Sequence, residues 1–66
     1  MKLTLNGEFR EISESKTVSD LLGSLGLAEK LVLVEQNGQA VPRENFSAAS
    51  VKDGDKIEIV RMVAGG

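Results

Sequence analysis

Chemistry in this chain concentrates at its end, Met62-Val63-Ala64-Gly65-Gly66. Consecutive glycines lack Cβ atoms, so they accept unusual backbone dihedrals, and an extended tail ending this way can enter a channel too narrow for side chains. Taken alone, the same ending reads better as a frayed terminus, where order usually runs out. The rest of the chain offers few reactive groups. It has neither Cys nor His, and so lacks the commonest nucleophile, the commonest general base near neutral pH and the usual structural zinc ligands. Asp53-Gly54-Asp55 brings two carboxylates together, but two alone do not make a metal site, and Asp and Gly are ordinary turn residues. We read the segment as a turn. An enzyme is a poor match to this inventory.

Composition narrows the field further. A chain of 66 residues has room for one compact core and no second domain. Without Cys no disulfide supports that core, so its stability must come from regular, well-packed elements. The formal net charge is −2, Lys and Arg are scattered singly, and Tyr and Trp are absent. There is no basic stripe for phosphates and little to stack on bases, which argues against nucleic acid as a partner. No apolar run approaches a membrane span, and the start Met1-Lys2-Leu3-Thr4-Leu5-Asn6 is too short and too polar for a signal peptide. A cytoplasmic protein with no membrane partner is expected.

The elements that must carry the tail follow from periodicity. Leu3 and Leu5 alternate with Lys2 and Thr4 and stop at Asn6-Gly7, a strong hairpin signal. A second strand over roughly Glu8 to Ile12 should follow. Phe9 and Ile12 cannot share a face of an unbroken strand, so a bulge or an exposed Phe9 is implied. Thr17 and Asp20 have the spacing of a capping box, and Val18, Leu21, Leu22 and Leu25 repeat at helical spacing. Gly26 sits where a left-handed C-terminal cap belongs, with Leu27 beyond it; Gly23 inside the helix costs roughly 1 kcal/mol against Ala.

Leu31-Val32-Leu33-Val34 reads as a buried central strand, turning at Asn37-Gly38 into a short partner over Gln39 to Val41. Pro42 stops that partner and holds Val41 extended. Arg43 is read as solvated, with contact to an acidic partner surface as the alternative. Glu44 to Ala49 can hold an irregular helical turn around Phe46. After the turn at Asp53-Gly54-Asp55, Ile57 and Ile59 face inward, and Val60, Met62 and Val63 carry a last strand toward the end. The order is hairpin, crossover helix, strand, short strand and final strand. We expect an α+β fold of the β-grasp type, a mixed sheet of about five strands packed on one helix. Residues 1–63 would form the domain and 64–66 its tail. Behind such a domain, Gly65-Gly66 reads as a functional tail rather than a loose end.

Asn6-Gly7, Thr17-Val18, Leu21-Leu22, Asn37-Gly38, Val41-Pro42-Arg43, Asp53-Gly54-Asp55 and Ala64-Gly65-Gly66 together resemble the bacterial and archaeal thiamine sulfur carrier proteins, along the whole chain. That family has a ubiquitin-like β-grasp fold and ends in Gly-Gly. The resemblance implies a carrier that is a co-substrate of its partners rather than an enzyme. An E1-like adenylating enzyme would activate the Gly66 carboxylate with ATP. A sulfur donor such as a cysteine desulfurase system would convert it to a thiocarboxylate, and thiazole synthase would take the sulfur. The chain would need no cofactor of its own, ATP and magnesium being used by the activating partner. A chain without Cys cannot hold sulfur as an ordinary persulfide, which leaves the terminus as the attachment point.

Val60 and Met62 fall on the strand face opposite Ile57 and Ile59. With an outward Phe9 they would give the helix-free face an apolar patch next to Ala64 and the tail. Such patches often mark interaction sites; cover by neighbouring side chains or by a second copy is the competing reading. Rival functions are the small subunit of molybdopterin synthase, also a sulfur carrier ending in Gly-Gly, a ubiquitin-like protein modifier, and a β-grasp interaction module whose glycines do nothing. The short length and Val41-Pro42-Arg43 favour the thiamine family.

Overall fold

The computed structural model describes residues 1–12 and 14–62. Strands β1 (Lys2–Leu5) and β2 (Glu8–Glu11) form the first hairpin. Its connection is the two residues Asn6 and Gly7, with φ of 50° and 81°. Positive φ at both central positions is the mirror-image turn whose twist matches paired strands, and Asn and Gly are the residues that tolerate it. Strands β3 (Val32–Gln36) and β4 (Gln39–Val41) repeat the device at Asn37-Gly38. Strand β5 (Lys56–Arg61) is the last element.

Helix α1 (Val18–Ser24) begins at the anticipated capping box. The Asp20 N–H donates to Thr17 Oγ1 at 3.1 Å, and the Thr17 N–H donates to Asp20 Oδ2 at 3.2 Å. At the other end Gly26 N–H bonds the Gly23 carbonyl and Leu27 N–H bonds the Leu22 carbonyl. These are the two bonds of a Schellman cap, so both helix ends are satisfied by residues that the sequence marks.

The five strands lie in the order β2-β1-β5-β3-β4. The pair β1·β5 is parallel, and the other pairs are antiparallel. The final strand therefore occupies the middle of the sheet, between the first strand and β3. One face carries Leu3, Leu5, Ile57, Val32 and Val34 into a core shared with Val18, Leu21 and Leu22 of α1. Phe46 and Val51, from the connection between β4 and β5, complete it. Phe46 sits beside the 3-10 turn Arg43–Asn45, close to the anticipated place.

Three expectations change. The run 31–34 is not buried throughout: Leu31 belongs to the 3-10 turn Glu29–Leu31, and in β3 the pattern alternates, with Val32 and Val34 buried and Leu33 55% exposed. The middle of the sheet is β5, and a sheet covered by a helix on one side needs only alternate residues inside. Ile59 is partly buried at the margin of the core instead of fully inside, whereas Ile57 is fully buried. Strand β5 ends at Arg61, so Met62 follows it rather than extending it; Val63 lies outside the described residues.

Candidate functional site

The tail leaves from the end of β5, and three contacts hold that end in place. Beyond Leu5 the first hairpin turns away from β5, and the Asn6 side chain replaces the lost ladder: Ile59 N–H donates to Asn6 Oδ1 at 2.7 Å and Asn6 Nδ2 donates to the Ile59 carbonyl at 3.1 Å. On the opposite side β3 pairs with β5 as far as Val32↔Arg61. The Met62 N–H then donates to the Leu31 carbonyl at 2.7 Å. Met62 is thus anchored through its backbone. Ala64, Gly65 and Gly66, the proposed reacting end, lie outside the described residues.

The start of β5 is held in a related way. Asn37 Oδ1 accepts from Lys56 N–H at 2.9 Å, while Asn37 Nδ2 donates to Asp55 Oδ1 at 3.0 Å. Asp55 also accepts from Gln36 Nε2 at 3.0 Å and Lys52 N–H at 2.9 Å. Burial pulls the Asp55 carboxyl upward, but the bonds from Asn37, Lys52 and Gln36, with the Lys52 charge, outweigh it and hold the group below the ordinary carboxylate value. Asp53 Oδ1 accepts the Lys2 N–H. Both carboxylates of the Asp53-Gly54-Asp55 turn are therefore occupied by the fold. Among the described residues no group of His, Cys, Asp or Glu is placed to hold a metal.

The helix-free face carries the apolar residues singled out from sequence. Phe9 is 71% exposed and Val60 59%. Phe9 pairs with Thr4 and Thr4 with Lys56, so register places both Phe9 and Val60 on this face. They are not neighbours: two strand spacings separate them laterally, and Lys56 to Val60 spans about 13 Å along β5. Val60 instead lies directly opposite Leu33. Leu31 and Met62, joined by the Met62 N–H bond to the Leu31 carbonyl, are also exposed, so exposed apolar residues gather at the end of β5. Leu31 and Leu33 were missed because a continuous apolar run looks like a strand buried on both sides. The signal available was the one-helix architecture, which leaves one face uncovered.

Arg43 is exposed, as expected, but its guanidinium is also held by the fold. Its Nε donates to the Glu29 carbonyl at 2.9 Å and its Nη2 to the Val32 carbonyl at 3.3 Å, tying the turn after β4 to the segment entering β3. No helix among the described residues is long and apolar enough to cross a membrane.

A five-stranded mixed sheet gripping one helix, with its middle strand running into the terminal segment, defines a small β-grasp protein. The crystal structure of a thiamine biosynthesis protein, ThiS, from Geobacter metallireducens superimposes with a TM-score of 0.82 at 39% identity, covering 100% of both chains. A model of the ThiS family matches residues 3–66. The sulfur carrier protein ThiS of Bacillus subtilis is 38% identical over 65 residues, which are 97% of this chain and 98% of that protein. A thiazole synthase of Paramagnetospirillum magneticum is 48% identical over all 66 residues, yet the chain spans only 20% of its length. The chain belongs to the ThiS family, as does the sulfur carrier protein of Bacillus subtilis.

Proposed function

We propose that this chain carries sulfur as a thiocarboxylate on Gly66 for the making of the thiamine thiazole. A carboxylate is a poor acyl donor until one oxygen becomes a good leaving group. The Gly66 carboxylate attacks ATP in an E1-like adenylating enzyme, releasing pyrophosphate and leaving an acyl-adenylate. A sulfur donor such as a cysteine desulfurase system then presents a persulfide whose outer sulfur attacks the carbonyl carbon as AMP departs, and a thiol of that donor system cleaves the sulfur–sulfur bond of the acyl disulfide, leaving a disulfide on the donor side. The resulting thiocarboxylate presents its sulfur to thiazole synthase. In this cycle the chain is a co-substrate and its partners hold the catalytic groups.

The observation that supports this reading is a strand end held by Asn6, Val32 and Leu31, which the sequence continues through Val63 to Ala64-Gly65-Gly66. A pinned strand end followed by residues without bulk suits delivery of a carboxylate into a narrow channel. The similarity of the whole chain to part of a thiazole synthase supports thiazole synthase as the sulfur acceptor. The open-face patch of Val60 and Met62, extended by Leu33 and Leu31, is the surface proposed to dock, with Ala64 following it and Phe9 as a separate contact.

Intact-mass measurement after incubation with adenylating enzyme, ATP and a sulfur source tests the reading. One oxygen of the chain should be exchanged for one sulfur, and the exchange should be lost when Gly66 is deleted or one Ala is appended after it. Full sulfur loading of either variant would overturn the assignment to Gly66.

A further inference from the structure

On the helix side of the same strand end, a notch of about 290 Å³ opens between the first hairpin and the segment leaving α1. Its apolar wall is Leu5, Leu25, Leu27, Val32 and Ile59, and Arg10 and Arg61 also line it. Both arginines are exposed, and neither guanidinium makes a hydrogen bond or ion pair among the described residues. Glu8 shares the face of β2 that Arg10 occupies, two residues away, and does not pair with it. In a chain of net charge −2, two unpaired cations over an apolar hollow are a local reversal of sign.

Resting on the carrier reading above, we propose that this notch is a second docking site for the adenylating enzyme and accepts an apolar side chain flanked by carboxylates on that enzyme's surface. Charge selects the occupant: planar guanidinium forks match carboxylates with paired hydrogen bonds. Reach requires the contact. From Met62 to Gly66 the tail extends at most about 17 Å, so an enzyme that encloses the Gly66 carboxylate must bring the mouth of its channel up to the end of β5. Arg61 is the last residue of that strand. The mouth then meets the open-face patch on one side and the Arg10–Arg61 notch on the other. Apolar contact on the first face gives area, and charge pairing on the second fixes which way round the domain sits, since opposed charges steer and orient more than they tighten.

The test measures adenylation by pyrophosphate release with the full chain, the adenylating enzyme and ATP, varying the carrier concentration and the salt. Arg10→Glu with Arg61→Glu should raise the carrier's KM about tenfold at low salt and leave kcat within about twofold, because charge reversal acts on encounter and orientation. Arg10→Lys with Arg61→Lys should recover only part of the loss, restoring the charge but not the paired hydrogen bonds of the guanidinium fork. The wild-type KM should rise with salt, and that of the doubly reversed variant should not. Circular dichroism should show all variants folded, as both side chains stand in solvent. A doubly reversed variant with wild-type KM, or a wild-type KM indifferent to salt, overturns the second docking site while leaving the carrier reading intact. A wild-type chain that releases no pyrophosphate overturns both.

Discussion

Asn6 grips both backbone groups of Ile59, accepting from its N–H at 2.7 Å and donating to its carbonyl at 3.1 Å. A residue in the first hairpin turn thereby fixes the strand from which the tail departs, 53 positions later.

Removing this grip should loosen the strand end. Asn6→Ala loses both bonds and also places a Cβ-bearing residue without local polar compensation at φ 50°, for a cost of about 1–3 kcal/mol. Asn6→Gly relieves the backbone strain and isolates the loss of the bonds. In both variants the Ile59 amide should exchange with solvent faster, measured by NMR. An Ile59 amide as protected as in the parent would show that the clamp contributes no order.

The open face should tolerate charge that the core does not. Leu33→Glu and Met62→Glu should leave the circular dichroism spectrum unchanged and suppress thiocarboxylate formation, because a partner would have to desolvate an unpaired charge. Phe9→Glu, placed away from the Leu33–Val60 pair by register, should have a smaller effect. Normal sulfur loading of both Leu33→Glu and Met62→Glu would remove this face from the docking surface.

Within the core, Leu21→Ala or Leu22→Ala should cost roughly 2–5 kcal/mol, a large share of the stability of so small a domain. Both side chains are fully buried between α1 and the sheet. Ile57→Glu should unfold the protein. Ile59→Glu should be milder, since Ile59 lines the notch and is partly exposed. Denaturant unfolding ranks the four, and equal losses at Ile57 and Ile59 would contradict their difference in burial.

Acid should weaken the domain partly through Asp55. Its carboxyl is held below the ordinary value in the folded state, so at pH values between its folded and unfolded pKa the unfolded chain binds more protons. Stability from this group is complete above the unfolded pKa, about 3.9, and is lost as pH falls through the depressed folded value. Asp55→Asn should therefore lower the melting temperature near neutral pH and flatten the acid limb of the profile. Parallel profiles for the two proteins would refute the coupling.

Local features were legible in the sequence, and long-range ones were not. The Asn-Gly turns, the Thr17–Asp20 capping box and the Gly26 cap depend on neighbours within a few residues, and each formed where its pattern stood. The parallel pairing of Thr4 with Lys56 joins the two ends of the chain, and nothing in either strand names its partner. Leu33 misled because apolar identity does not reveal whether a sheet face has a cover. The partners of Arg43 are backbone carbonyls of Glu29 and Val32, which every residue possesses and no side-chain pattern announces. At the site, Gly65-Gly66 was conspicuous only after a β-grasp domain had been inferred ahead of it, and the two arginines of the notch come together only in the fold.

The position of β5 between β1 and β3 also decides how the protein responds to being pulled. Tension on the tail acts along the strand, whereas the hydrogen bonds to its neighbours run across it. Traction on the end of β5 is thus resisted in shear by two rows of bonds sharing the load, not by single bonds opening in succession as when a hairpin is peeled from its end. The parallel β1 extends the same argument to the other terminus, because drawing the two chain ends apart slides β1 and β5 past each other instead of unzipping them. A domain pulled at the end of β5 therefore has little tendency to unravel from that end.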